Sequence, residues 1–258
     1  MFPNKSDPDL TTAMKQTILT LALSLLAPLA TLHAAAPSAK PNIIFILADD
    51  MGWGDLHCYG HPYAKTPNLD KLAAEGTRFQ QFYATGVTCC PSRTGFMTSW
   101  LPARYPIYPA KGGFAERVTI TELLHKQGYA TGHFGKWHIG PDAKPGTYGI
   151  DSMGADDGEA SGGGQKKNQP SDSPRGRDAH VFAEAIAFIE AFIEKHKSGP
   201  FYANIWDHIP HNPVNPSQAQ IDAFGPLQVD ESKFSPLMRE KFATCKKLGG
   251  DVSEHMRA

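Results

Sequence analysis

Four short strand-like runs, each followed by polar residues, alternate along the chain with segments of helical pattern. The runs occupy residues 43–48, 77–83, 129–134 and 201–206. The first run is unbroken and rich in isoleucine, which is typical of a strand buried on both faces of a parallel sheet. Strands that alternate with helices build α/β folds. The pattern therefore predicts an α/β domain with a largely parallel central sheet flanked by helices.

Capping residues and apolar spacing predict the helices that connect these strands. The segment Thr119–Glu122 has the residues of a capping box, and apolar residues recur at helical spacing from Val181 to Ile193. Helices are expected at residues 67–75, after 91, at 120–127, from 178 to 198 and after 236. Residues 141–177 lack any periodicity, which predicts a long loop.

The composition places the chain among globular proteins. Its 258 residues are 41% hydrophobic and 20% charged, with a formal net charge of -1. These values exclude disordered and collagen-like chains. The near-neutral charge gives no indication of nucleic-acid binding. Four cysteines are too few for a disulfide-built scaffold of this size, so at least one remains available for chemistry.

The N-terminus has the pattern of a secretory signal. Met14-Lys15 precedes an apolar run at residues 18–32, and an alanine-rich stretch at 34–36 resembles a cleavage site. We predict an N-terminal extension and signal peptide over residues 1–36, with the domain at 37–258. The run is short and interrupted by Pro28, so we expect no stable membrane insertion after cleavage and a secreted or periplasmic protein. The alternative is an apolar first helix of the domain.

Candidate chemistry begins at the end of the first strand. Asp49 and Asp50 follow the run directly, and ligands of open α/β sheets bind at the carboxyl ends of strands. Two adjacent carboxylates repel each other unless a cation joins them, which predicts a hard divalent metal ion. The alternative is an acidic turn that only solubilises a loop.

A second candidate is the order C-x-P-S-R formed by Cys89, Pro91 and Arg93. Proline suits the first turn of a helix, so Cys89 is expected just before a helix N-terminus, where a thiol becomes reactive. Arg93, one turn further on, offers a planar fork to an oxyanion. These parts are needed to attack a sulfate or phosphate ester. The alternative is a buried cysteine pair before an ordinary helix with a solvated arginine.

Two further groups follow predicted strands. Lys136 and His138 alternate across a segment that we expect to be extended, so both can face one site while Trp137 points away. Lys136 would bind an oxyanion and His138 would act as a base or orient one. Asp207-His208-Ile209-Pro210-His211 follows the last strand; its alternative is a proline-rich turn with exposed histidines.

These motifs together resemble the formylglycine-dependent sulfatases of the alkaline-phosphatase-like superfamily. VTCCPSRTGFMTSW is similar to the signature C-x-P-S-R-x-x-x-(L/M)-T-G, PNIIFILADDMGWGDLHCYG to the opening of the domain, and GYATGHFGKWH to the second signature. An H-x-P-H motif follows in the same order. Ser99 and Trp100 depart from the family, which usually has Gly and Arg there. The resemblance covers residues 41–213, the N-terminal portion of such a domain.

The resemblance implies a set of roles. Cys89 would be converted to formylglycine by a maturation enzyme, and the aldehyde hydrate would attack the sulfur of a sulfated carbohydrate or aryl sulfate. Calcium is the ion that the resemblance implies, bound by Asp49, Asp50 and the group made from Cys89; two carboxylates alone do not distinguish it from magnesium. The resemblance implies substrate or catalytic roles for Arg93, Lys136, His138, His208 and, as a supporting contact, His211.

One family feature has no counterpart in the sequence. The family has a later acid–amide metal pair and a second sulfate-binding lysine, and we find neither before Ala258. We therefore expect a truncated chain that binds metal weakly and turns over little. Two alternatives stay open: a phosphate or phosphonate monoester hydrolase with the same nucleophile, and a non-catalytic fragment that binds sulfated glycans.

Overall fold

The computed structural model describes residues 39–108, 113–140, 143–154, 178–195, 199–211 and 216–257. The chain divides into two compact units, Met1–Lys40 and Pro41–Ala258, and the fold below is that of the second. The predicted signal peptide and its boundary at residue 36 lie outside the described residues, as does most of the predicted loop at 141–177. Within the described ranges, no helix has the length and apolarity that crossing a membrane requires.

One parallel sheet forms the centre of the second unit. Its strands are β1 (Ile43–Asp49), β2 (Ala130–Gly135), β3 (Ser152–Met153) and β4 (Phe201–Pro210), in the spatial order β1-β4-β2-β3. Every neighbouring pair is parallel. The carboxyl ends of all these strands therefore lie along one edge of the sheet, and the predicted α/β class is confirmed.

The helices that begin near residues 67, 89, 120, 179 and 236 agree with the sequence predictions, whereas two short helices, at 218–222 and 252–257, were not predicted. The described helices are α1 (Pro67–Glu75), α2 (Cys89–Thr98), α3 (Ile120–Lys126), α4 (Ala179–Lys195), α5 (Gln218–Asp222), α6 (Pro236–Lys247) and α7 (Val252–Arg257). The predicted capping box starts α3: Thr119 Oγ1 accepts from the Glu122 amide at 3.2 Å, and Glu122 Oε2 accepts from the Thr119 amide at 2.7 Å. Because α2 begins at Cys89, this cysteine is the first residue of the helix, not the residue before it.

Two apolar clusters hold the sheet between its helices. The apolar stripe of α4 packs on β2 and β4 through Phe134, Val181, Ala185, Phe192, Phe201, Ala203 and Ile205. A second cluster contains Met97, Phe114, Trp137, Ile139, Ile150 and Trp206. Successive strand residues point to opposite faces, so Ile205 and Trp206 of β4 belong to different clusters. The stripe predicted from the helical spacing is thus core packing.

One predicted strand is absent, and the burial predicted for another strand is wrong. The segment at 77–83 forms no strand, and Phe79, Phe82 and Tyr83 are 59%, 77% and 79% exposed. Aromatic residues favour strands, but a strand needs a neighbour for its backbone hydrogen bonds, and none of the described strands pairs with this segment. The strand β1 is also not buried on both faces, because it lies at the sheet edge with Ile44 and Ile46 51% and 55% exposed.

Candidate active site

Three of the predicted polar groups meet at the carboxyl edge of the sheet. Asp49 ends β1, Lys136 follows directly after β2, and His208 lies near the end of β4. The pairing of β1 with β4 is irregular there: Leu47 pairs with Trp206, but Asp49 pairs with Pro210. Three residues of β4 therefore face a single residue of β1. Such a bulge redirects side chains, and it falls where the chemistry is expected.

A buried ion triad, formed by Asp49, Arg93 and Lys136, lies at this edge. Arg93 Nη2 donates to Asp49 Oδ1 at 2.9 Å, and Lys136 Nζ donates to Asp49 Oδ2 at 2.6 Å. Arg93 Nη1 also donates to the Lys136 carbonyl at 2.9 Å. Burial opposes ionisation of Asp49, but the charge of Arg93 and the hydrogen bonds from both cations hold the pKa of Asp49 below its usual value. The triad is therefore ionised and internally paired.

Gly135 makes the position of Lys136 possible. Its φ is 91°, and a Cβ there would lie 2.1 Å from the Trp206 carbonyl oxygen. The Lys136 amide donates to that same oxygen at 2.9 Å. We predicted an extended segment beyond Gly135. This prediction is wrong, because His138 has a left-handed φ of 51°. Trp137 nevertheless points away into the second apolar cluster.

Cys89, Asp50 and His211 form a more exposed group, which we call the rim. Lys136 Nζ lies 3.8 Å from Cys89 Sγ, and His211 Nε2 lies 3.6 Å from Asp50 Oδ2. Asp50 has a left-handed backbone with φ 63°, and its side chain is 58% exposed. Ligand atoms of Asp49, Cys89 and His211 all lie within 4.8 Å of one another. The rim therefore adjoins the buried ion triad through Asp49 and Lys136.

The two adjacent cysteines differ in their surroundings. Cys89 is half-buried at the start of α2, whereas Cys90 is 4% exposed and its Sγ lies 4.0 Å from Thr94 Oγ1. Burial raises the pKa of the Cys90 thiol, against a smaller opposing effect of the contact with Thr94. A buried thiol with a raised pKa is inert. The structure thus separates an accessible cysteine from a structural one, as the C-x-P-S-R order requires.

Asp178, which the sequence did not single out, fixes the end of β4. Its Oδ2 accepts from the amides of His208 and Ile209 at 2.7 and 2.9 Å, and its Oδ1 lies 3.0 Å from His208 Nδ1. Burial opposes the charge of Asp178, but the hydrogen bonds and charge of His208 keep its pKa below the usual value. The charged carboxylate holds the proton of this ring on Nδ1. From the sequence alone, an aspartate just before a helix indicates only an N-cap residue.

Asp207, the sequence neighbour of His208, has a different environment. Burial and, less strongly, the charge of Asp178 raise the pKa of Asp207 to about 7. The carboxylate that contacts the His208 ring is therefore that of Asp178, and Asp207 is half neutral near pH 7. The carboxylate of Asp178, which contacts the His208 ring, is therefore charged near pH 7, whereas the neighbouring Asp207 is only partly ionised.

Comparison with known proteins identifies the family. A family model described as Sulfatase matches residues 41–235. The chain belongs to the sulfatase family. Arylsulfatase A from Homo sapiens is 50% identical over 123 residues, which are 45% of this chain and 24% of that protein. N-acetylgalactosamine-6-sulfatase from Rattus norvegicus is 41% identical over 147 residues, 51% of this chain and 28% of that protein.

A solved structure supports the fold of this sulfatase chain. The crystal structure of the PsFucS1 sulfatase from Pseudoalteromonas sp. superimposes with a TM-score of 0.56 at 24% identity, over 89% of this chain and 56% of that one. The likeness shows the shared α/β architecture. The chain spans about half the length of this solved relative and aligns with about a quarter of the two curated ones.

The donor atoms decide which cation the sulfatase site fits. Asp49 and Asp50 supply carboxylate oxygens, which calcium and magnesium prefer. The third nearby residue, Cys89, supplies sulfur as a cysteine and oxygen only after conversion to formylglycine. The set therefore fits a hard cation in the converted form. In the unconverted form, Asp49, Cys89 and His211 are a mixed oxygen, sulfur and nitrogen set.

Most predicted site residues lie in this one region. The described contacts join Asp49, Cys89, Arg93 and Lys136 directly, and Asp50 with His211 adjoins them. His208 is 1% exposed and is joined to Asp178. His138 follows two residues after Lys136, and its role as base or orienter stays a prediction.

Proposed function

We propose that this chain is the N-terminal portion of a sulfatase that hydrolyses sulfate monoesters of carbohydrates or aryl alcohols. The similarity to arylsulfatase A and to N-acetylgalactosamine-6-sulfatase supports both substrate classes. The predicted signal at residues 1–36 supports a secreted or periplasmic protein. Because the chain covers only part of its relatives, the activity belongs to the whole sulfatase fold.

One observation carries the proposal. Lys136 Nζ, itself 1% exposed, lies 2.6 Å from Asp49 Oδ2 and 3.8 Å from Cys89 Sγ. A nucleophile precursor at a helix N-terminus therefore has a fixed, desolvated cation beside it. A sulfate ester is negatively charged and gains charge on its departing oxygens during hydrolysis. A preorganised cation at low local dielectric stabilises that charge far more than a solvated one does.

The nucleophile requires a modified cysteine. Formylglycine at position 89 supplies a hydrated aldehyde, one hydroxyl of which attacks sulfur while the other later allows sulfate to leave. Arg93 and Lys136 hold Asp49 in place and face the ester with positive charge. His138 is proposed as the base for the second hydroxyl, or as the residue that orients that base. Unmodified cysteine has a single thiol and no hydroxyl groups, so turnover depends on conversion of Cys89 to formylglycine.

Proton delivery to the leaving alcohol is assigned to His208. Asp178 binds Nδ1 of this ring at 3.0 Å, so Nε2 is the atom that takes up a second proton from solvent, forming the imidazolium, and then donates it to the leaving oxygen. His211, whose ring nitrogen lies within 4.8 Å of Cys89 Sγ, is proposed to contact the bound ester. The two histidines thus have separate tasks, one fixed by a buried carboxylate and one at the rim.

A divalent cation, calcium or magnesium, would be held by Asp49, Asp50 and the oxygen of the modified residue 89. When bound, it supplies positive charge to the ester oxygens. Both oxygens of Asp49 already accept hydrogen bonds from Arg93 and Lys136. Asp49 therefore has to share its remaining lone pairs with the cation, and we expect this chain alone to bind the cation weakly.

Coexpression with a formylglycine-generating enzyme tests the proposal. We expect mass spectrometry of the peptide with residues 89 and 90 to show an aldehyde at 89 and an intact thiol at 90. We expect slow release of nitrophenol from para-nitrophenyl sulfate, lost in Cys89→Ala and retained in Cys90→Ala. Robust turnover by this chain alone would contradict the expected weakness.

The same experiment separates the alternatives. Faster hydrolysis of para-nitrophenyl phosphate than of the sulfate would indicate a phosphate or phosphonate monoester hydrolase. An unconverted Cys89, together with binding of a sulfated oligosaccharide and no turnover, would indicate a non-catalytic fragment. Either result would overturn the assignment of a sulfate ester hydrolase.

A further inference from the structure

Three residues of different chemistry converge next to the buried ion triad. An oxygen of Asp49, Sγ of Cys89 and a ring nitrogen of His211 all lie within 4.8 Å of one another. They come from the end of β1, the first residue of α2 and the residue directly after β4. Residues so far apart in sequence meet only because the fold brings them together. Among the residues that the structure describes, these three have ligand atoms close enough together to share one ion.

The ligand types select the kind of metal. Thiolate sulfur, imidazole nitrogen and carboxylate oxygen are zinc ligands, with bond lengths of about 2.0–2.3 Å. Calcium and magnesium take oxygen instead. We propose that the unconverted, cysteine form of this chain binds a zinc ion through Cys89 Sγ, His211 and Asp49. The ion would lie at the rim, where the half-buried positions of Cys89 and His211 leave room for water as a fourth ligand.

Charge at the site is compatible with a thiolate ligand. Lys136 Nζ lies 3.8 Å from Cys89 Sγ, so a positive charge lies beside the sulfur that would bind the ion. The thiol proton passes to solvent when the zinc–sulfur bond forms. Asp50, 3.6 Å from His211 Nε2, adds negative charge beside the ion. The two cations of the buried ion triad are therefore offset by two carboxylates and one thiolate.

Conversion of Cys89 changes this preference. Replacement of sulfur by an aldehyde oxygen removes the thiolate and leaves oxygen donors beside the imidazole. The site would then release zinc and become suited to a hard cation. This second step rests on the proposed function, whereas zinc binding by the cysteine form does not.

Cobalt is the probe for the first step, because Co²⁺ occupies zinc sites and its thiolate complexes absorb in the near ultraviolet. The untagged 258-residue chain, produced without a maturation enzyme, is titrated with CoCl₂ and then with ZnCl₂. We expect a thiolate-to-cobalt charge-transfer band that zinc removes. Cys89→Ala should abolish the band, and His211→Ala should weaken cobalt binding at least tenfold. Cys90→Ala, the neighbouring matched control, should keep both band and affinity within about threefold.

Absence of the band in the parent chain, or its persistence in Cys89→Ala, would overturn the proposal. A measurement on the unmutated chain guards against a variant that fails to fold. Alkylation by iodoacetamide is followed at each cysteine by mass spectrometry, with and without zinc. We expect zinc to slow alkylation of Cys89 at least tenfold and to leave Cys58 and Cys245 unaffected. Equal rates at Cys89 with and without zinc would contradict the site.

Failure of the proposed function gives a different result. In a chain coexpressed with the maturation enzyme, we expect the cobalt–thiolate band to disappear in proportion to the aldehyde at residue 89. If the cysteine stays unconverted, the band remains while sulfate hydrolysis is absent. That outcome would overturn the proposed nucleophile and leave the zinc site in place.

Discussion

The buried ion triad and the rim adjoin each other but differ in how they are held. Asp49, Arg93 and Lys136 are 5%, 1% and 1% exposed, and each contacts the other two through side chain or backbone. The rim residues Asp50 and His211 are 58% and 26% exposed, and their closest polar atoms are 3.6 Å apart. The triad is thus part of the folded core, whereas the rim is accessible to solvent.

This difference separates stability from binding. Removal of one partner from a buried ion group leaves an unpaired charge at low dielectric, which strongly destabilises a fold. An exposed ion pair contributes little because water and salt screen it. We therefore expect mutations in the triad to unfold the chain and mutations at the rim to change only what it binds.

The adjacent aspartates provide the largest contrast. We expect Asp49→Ala to lower the unfolding free energy by about 3–5 kcal/mol, because Arg93 and Lys136 lose their shared carboxylate. Asp50→Ala is the matched control, with an expected loss of about 1 kcal/mol or less, because alanine adopts the left-handed φ of 63° less readily than aspartate does. Urea unfolding followed by circular dichroism measures both. Similar losses for the two variants would remove the distinction between triad and rim.

Acid should destabilise the chain through a histidine beside the triad. Burial, and secondarily the charge of Arg93, lower the pKa of His133 from 6.5 to about 3. Between these values only the unfolded chain binds the proton, so stability is full above pH 6.5 and falls as the pH is lowered. His133 contributes a slope of about 1.4 kcal/mol per pH unit, and Asp207, whose pKa is raised to about 7, contributes a slope of opposite sign below pH 7. The contribution of His133 is therefore measured as the difference in slope between the parent chain and a variant that lacks this histidine.

His133→Phe tests this slope. An aromatic ring suits the position, because the imidazole packs edge-on against Trp137 and Trp206 at centroid distances of 5.0 and 4.6 Å. Unfolding by urea from pH 7 to 4.5 should show a smaller slope for this variant. His211→Ala, at the rim, should keep most of the slope. An unchanged slope in His133→Phe would assign the acid sensitivity to other groups.

Loss of the contacts between Asp178 and the end of β4 should lower the unfolding free energy by an intermediate amount. Asp178→Asn replaces a charged acceptor of three hydrogen bonds, and we expect a loss of about 1–3 kcal/mol. Nitrogen chemical shifts of the His208 ring should also show a less uniform Nδ1–H tautomer. Asp207→Asn is the control, because that carboxyl has a pKa of about 7 and is largely neutral at pH 6. A greater loss at Asp207 would contradict the assigned partner.

The smallest effect is expected within the rim. A double-mutant cycle of Asp50→Ala and His211→Ala should give a coupling of about 0.5 kcal/mol or less, since both groups are partly solvated. The coupling should decrease further in high salt. A coupling comparable to that within the triad would show that the rim is also part of the core.

Much of the site was readable from the sequence because its residues follow strands. Asp49 and Lys136 come at the ends of apolar runs, and parallel strands bring such ends to one edge. The C-x-P-S-R order likewise predicted an accessible Cys89 at a helix start. The strand predicted at 77–83 is wrong because aromatic residues express only a local preference for a strand, whereas a strand exists only where a partner strand accepts its hydrogen bonds.

The sequence by itself determined the α/β class, the helices with their caps and the residue types available for sulfate chemistry. These depend on local periodicity and on the order of motifs, which a linear chain records. Only the tertiary structure decided that Asp49 is paired with Arg93 and Lys136. It also decided that Asp178 orients His208 and that Cys89 lies close to His211. Such pairings depend on burial and on distances between residues far apart in the chain. No local pattern encodes either quantity.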